Sequence, residues 1–179
     1  MNNVQRKNSL LLLVILLLIV ICAYFAYEKY KYRHEEGLVY LSFFQSYLHF
    51  KKNDRLVVFS NPSTCNASKA QFKDLPNDIF EEFEKVNNED AAPIRLSVLE
   101  GEIPIVSWED TKNLHRRGIE NAFRPPGHRL LSLSRVGFNK SKDKALICIE
   151  VSDVDFYGTG SSNAFYLEKN KGKWDFAGY

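Results

Sequence analysis

The apolar pattern of this chain begins with twelve consecutive Leu, Ile and Val residues, Leu10 to Ile21, and Cys22 to Tyr27 extend it without a charge. Eighteen helical residues reach about 27 Å, enough to cross a thin bilayer core. The twelve aliphatic side chains contribute at most about −4 to −7 kcal/mol to insertion. Tyr24, Tyr27, Tyr30 and Tyr32, interleaved with Lys29, Lys31 and Arg33, form an interfacial belt on the distal side.

A cleaved leader is the competing explanation, because Arg6 and Lys7 make a basic start. The apolar run is too long for that, however, and it ends without a small-x-small cleavage site. Ile21 before Cys22 also departs from a lipoprotein signal, which wants a small residue there. Residues 10–27 therefore read as a retained transmembrane signal-anchor helix behind a short basic tail, 1–9. Lysines and arginines flank the span on both sides, so charge alone does not orient it. A short acid-free tail ahead of a long domain favours placing the domain outside the cytoplasm, in the periplasm or at the cell surface.

Beyond the anchor the periodicity changes. From His34 to Lys52, Leu38, Leu41, Phe44, Gln45 and Leu48 recur at helical spacing, with Phe43, Tyr47 and Phe50 widening the apolar face and Gly37 as a break point. Leu56–Phe59 reads as a short buried strand. A second helix is predicted from Asp78 to about Asn87, with Ile79, Phe80, Phe83 and Val86 inward. Ile94–Leu99 and Ile103–Val106 are strand candidates, and Ser107 caps a short helix ending near Gly118, with a further turn over Ile119–Phe123. Then come strands at Leu130–Phe138, Ala145–Val151, Ala164–Lys169 and Trp174–Tyr179, the last two joined by the hairpin turn Asn170-Lys171-Gly172-Lys173. The expected fold is α+β: one domain over 28–179, with a mainly antiparallel sheet ending in a four-strand meander, packed by two or three helices.

Charge narrows the partners. Arg6 and Lys7 are the only charges before residue 28, so 28–179 carries 22 basic and 22 acidic residues. A formally neutral domain argues against nucleic acid. Two local patches stand out: Lys112, Arg116, Arg117, Arg124 and Arg129 form a basic stretch, and 78–90 is acidic. The basic stretch could meet acidic groups of the same fold or anionic lipid headgroups.

Candidate chemistry is sparse. Asp153, Asp155 and Tyr157 with Gly158 and Gly160 resemble a calcium loop only at its start, because Tyr157 and Ala164 stand where oxygen ligands are needed. The segment reads instead as a partner-contacting loop between strands. The Gly-rich stretch leads into a strand with no Lys-Ser/Thr behind it, so it is no phosphate cradle. His34, His49, His115 and His128 lack metal spacing. Cys65 and Cys148 are the one disulfide available within a translocated domain. The alternative, two free thiols with Cys148 a small core residue, is favoured by the residues alone. No metal or cofactor is expected.

Ser134-Arg135-Val136-Gly137-Phe138-Asn139, followed by Lys144-Ala145-Leu146-Ile147, then Phe165-Tyr166-Leu167-Glu168-Lys169 and Gly172-Lys173-Trp174, resembles a group of small bacterial envelope proteins over roughly 129–176. The resemblance implies an exported or anchored α+β domain and brings no activity with it. Relatives often carry a Cys-Gly loop where this chain has Asp153–Gly160, so no thiol role transfers. In physical terms the motif reads as scaffold. Gly137 suggests a bulge or a close backbone approach, and Arg135 a snorkelling or paired cation with Glu150 as one partner.

Three functions follow. The first is a non-enzymatic, membrane-anchored protein-binding domain, accessory or immunity-like. The second is a small hydrolase or thiol enzyme built on Cys65 with His115 or His128. The third is an anionic-lipid surface module using the basic stretch.

Overall fold

A 44-residue α-helix, α1 (Asn3–Ser46), carries the apolar stretch and continues without interruption to residue 46. The computed structural model describes residues 3–46, 56–60, 62–63, 72, 75–89, 92–94, 96, 105–106, 129–153 and 160–178. The predicted helices at 107–123 lie outside these residues. Two units result, Met1–Glu35 and Glu36–Tyr179. In the first, Leu10–Val20 are 44–66% exposed. This is the one helix among the described residues long and apolar enough to cross a membrane.

In the second unit, Gly37 is buried inside the helix and does not break it. The inward face also differs from the periodicity estimate. Glu36, Val39, Tyr40, Phe43 and Phe44 are at most 1% exposed, whereas Leu38 and Leu41 are half-buried and Gln45 is exposed. Hydropathy counts a glutamate as a solvent residue; here Glu36 is on the buried stripe because a partner waits for it.

The sheet is mixed, and the domain is α+β. Its strands are β1 (Leu56–Phe59), β2 (Ile105–Val106), β3 (Arg129–Leu133), β4 (Gly137–Phe138), β5 (Lys144–Asp153), β6 (Gly160–Asn170) and β7 (Lys173–Gly178). They lie in the order β2-β1-β3-β5-β6-β7, with β4 continuing the line of β3 along β5. β5, β6 and β7 form the expected antiparallel meander, while β1 pairs in parallel with both β2 and β3. Ile94 and Leu96 are buried outside any strand. At the β6–β7 turn, Lys171 (φ 50°) and Gly172 (φ 83°) both take left-handed backbone, the geometry a two-residue hairpin needs.

Alternation along β5 divides the core. Ala145, Ile147 and Ile149 face one way with Leu131, Leu133, Phe165 and Leu167, and the Phe43 ring lies 4.9 Å from that of Phe165 on this side. Leu146 and Cys148 face the other way with Ala164 and Tyr166, under α2 (Asn77–Glu89), which contributes Ile79, Phe80 and Phe83. Each of the Leu, Ile and Phe side chains among them gains about 1.5–3 kcal/mol by leaving water.

The predicted strand Leu130–Phe138 is interrupted. Leu133 lies opposite Ile149 and Gly137 opposite Leu146, so three residues on one side face two on the other. This bulge at Ser134–Val136 reverses the alternation and turns position 137 toward α2. A Cβ added at Gly137 would sit 2.5 Å from Phe83 Cβ and 2.7 Å from Phe83 Cα. Only glycine lets the helix approach this closely.

Candidate functional site

The one fully buried ion pair described lies at the bulge. Arg135 Nη1 donates to Glu36 Oε2 at 2.9 Å, with the two side chains 0% and 1% exposed. Arg135 Nη2 also donates to the Ala92 carbonyl. The Val136 N–H donates to Glu36 Oε1 at 3.3 Å, and the Tyr40 hydroxyl stands 3.2 Å from the same oxygen and 2.6 Å from the Ser134 carbonyl. With one proton to give, Tyr40 is better placed for the carbonyl. Asn87, near the end of α2, accepts from the Arg135 N–H at 2.7 Å and donates to the Arg135 and Phe83 carbonyls. The Ser134 hydroxyl accepts from the Cys148 N–H at 2.8 Å.

The buried side-chain polar atoms of Glu36, Tyr40, Ser134 and Arg135 all have partners, while Asn87 is half-buried at the edge of the network. The network's work is to lock α1, α2 and the bulge together. Removing one member of such a pair leaves an unpaired buried charge, at a cost of about 3–5 kcal/mol. Arg135 therefore neither snorkels nor pairs with Glu150, which instead accepts from the Ser63 hydroxyl at 3.2 Å. The neighbours in the motif are structural too. Phe138 packs on Trp174 with ring centroids 5.6 Å apart. Asn139 Oδ1 accepts from the Asp143 and Lys144 N–H groups and closes the β4–β5 turn. Sequence reading missed this network because Glu36 and Arg135 are 99 positions apart.

A second polar cluster lies at the turn end of the sheet. Lys144 Nζ donates to the Tyr166 hydroxyl at 2.9 Å and to Glu168 Oε1 at 3.0 Å, and the Tyr166 hydroxyl donates to the same carboxylate. These bonds, with Tyr166 first, hold the Glu168 carboxyl below its ordinary range and raise the Lys144 ammonium above its own. Burial, above all, raises the Tyr166 phenol. All three groups are committed to one another in their resting protonation states, which suits a surface clasp better than proton transfer.

Three of the remaining candidates, Arg129, Asp153 and Gly160, are described, at the opposite end of the sheet. Arg129, the last of the basic residues, opens β3 directly opposite Asp153, which closes β5 and begins the acidic loop. Gly160 opens β6 opposite Ser152, and Leu56 opens β1 beside Arg129. The basic stretch and the loop thus join the sheet at one end, through neighbouring strands. Asp155, Tyr157, Gly158, Lys112, Arg116, Arg117 and Arg124 themselves lie outside the described residues, as do Cys65, His49, His115 and His128. His34 is exposed on α1. Cys148 is buried and disulfide-bonded, and Cys22 is free and exposed. Cys148 is therefore not the free core thiol that the residues alone favour. Among the described residues no cluster of His, Cys, Asp and Glu could hold a metal ion.

No family model, curated protein or solved structure matches the chain.

Proposed function

We propose that this is a single-pass bacterial envelope protein, retained by residues 10–27, whose domain lies outside the cytoplasm and binds another protein without catalysis. The observation that carries the binding surface is the pairing of Arg129 with Asp153. It brings the roots of a basic and an acidic segment together at the sheet end away from the β6–β7 turn, while the buried charges elsewhere are spent on the fold. Loops rooted in a rigid sheet are the usual carriers of recognition. A surface of mixed sign on a neutral domain fits a protein partner better than an anionic bilayer. An accessory or immunity-like role suits such an anchored binder.

The outward placement is supported by the disulfide at Cys148, because such bonds persist in oxidising compartments and are rare in the cytoplasm. Two measurements test the proposal. Protease added outside intact cells or spheroplasts should digest the domain; full protection overturns the topology. A photo-crosslinking residue at Arg124 or Tyr157 should give a discrete adduct in native membranes, and one at Lys171 should not. Equal labelling at both ends, or none at either, overturns the proposed surface.

A further inference from the structure

We infer that Cys148 is bonded to Cys65, and that the chain is consequently a client of a disulfide-bearing oxidant in the compartment where its domain folds. The client step rests on the outward placement proposed above; the pairing does not.

The chain has three cysteines, and Cys22 is free. The described chain on both sides of Cys65 is fastened beside Cys148. On one side, the Ser63 N–H donates to the Leu133 carbonyl at 2.7 Å, and Leu133 pairs with Ile149, the neighbour of Cys148. The Ser63 hydroxyl reaches Glu150, on the same face of β5 as Cys148. On the other side, Phe72 and Leu75 pack against the buried cluster that contains Cys148, Phe80 and Tyr166. Position 65 is two residues beyond Ser63, a reach of at most about 7 Å. The Ser162 hydroxyl lies 3.5 Å from Cys148 Sγ. A disulfide sulfur has no proton, so Ser162 is the donor there.

In the bond-forming step one cysteine thiolate attacks the disulfide of the oxidant, giving a mixed disulfide and releasing one oxidant thiolate. The second cysteine thiolate then attacks the protein sulfur of that mixed disulfide and releases the other. The two cysteines lose two protons and two electrons, and the oxidant becomes a dithiol. The product closes a ring from 65 to 148 that contains α2, β2, β3 and the whole basic stretch.

The test is acid quenching of cells expressing the full chain, alkylation with N-ethylmaleimide, digestion and mass spectrometry, before and after reduction. A peptide pair joining Cys65 to Cys148, lost on reduction, with Cys22 alkylated, is expected. The full chain purified in detergent is reduced and then treated with oxidised glutathione in parallel. If the bond forms there but both cysteines are alkylated without reduction in cells, the client step and the outward placement fall while the pairing stands. If Cys148 pairs with Cys22 or another chain, or stays alkylatable under glutathione, the pairing falls.

Discussion

Two stretches of α1 are built from similar residues and meet opposite fates. Leu10–Phe25 exposes every large aliphatic and aromatic side chain it has, with Phe25 67% exposed; eighteen positions later, Phe43 is 1% exposed. Both are helical, and both carry aliphatic and aromatic side chains. What separates them is the treatment of charge. The first stretch excludes it altogether, as a helix in hydrocarbon must. The second imports a glutamate together with an arginine and a backbone N–H to meet it. A helix face that can hold a satisfied charge is facing protein.

The sharpest way to break that comparison is to make the second stretch resemble the first. Glu36→Ala should destabilise the domain by about 3–5 kcal/mol, read by urea denaturation, because Arg135 stays buried without its partner. Replacing both, Glu36→Met with Arg135→Met, should restore most of that loss; a double variant as weak as the single would show that the pair contributes more than mutual compensation. The converse experiment makes the first stretch resemble the second. Leu16→Arg supplies a charge with no partner and should disfavour insertion by about 2.5–3.5 kcal/mol, read as protein lost from the membrane fraction, with the domain's own denaturation midpoint unchanged.

Smaller effects sharpen the picture within the protein-facing part. Gly137→Ala forces a methyl group against the Phe83 backbone and should cost about 1–3 kcal/mol. Tyr40→Phe removes the hydroxyl at the Ser134 carbonyl while keeping the ring, for about 1 kcal/mol. The smallest effect belongs to the exposed clasp. Glu168 titrates below its ordinary 4.5 in the folded chain. Its contribution is therefore present above that value and fades as pH falls through the lowered one. A slight fall of the urea midpoint below about pH 4.5 is expected, smaller in Glu168→Gln; an unchanged slope in the variant would show that the clasp contributes nothing.

How much of this could be read in advance follows the range of each interaction. α2 and its inward Ile79, Phe80 and Phe83 were legible, because an amphipathic helix shows in a dozen consecutive letters. So was the β6–β7 hairpin, since a Lys-Gly pair can take the two left-handed positions its turn requires. The parallel pairing of β1 with β3 was not, because Leu56 and Arg129 are 73 positions apart with no local signature. The buried face of the second stretch was misjudged for the same reason: Glu36 looks solvent-bound until Arg135 is known to lie beside it. Gly137 was half legible; an isolated glycine in a strand announces that something comes close, but not that the visitor is Phe83. For the candidate surface, the sequence named Arg129 and Asp153, and placing them opposite one another needed the register of β3 against β5.

The bulge at Ser134–Val136 also has a consequence for how this chain can vary in length. Loops beyond the sheet ends can gain or lose residues at modest cost, because loop closure depends only weakly on length. Between Leu133 and Gly137 the count is fixed, since a single deletion there would exchange the two faces for everything from 137 onward until a turn absorbed the slip. Phe138 would turn away from Trp174, and Gly137 would no longer be the residue under Phe83. In any set of diverged relatives, the spacing between positions 133 and 137 should be kept even where loop lengths differ; the bulge behaves as a frame marker for the sheet.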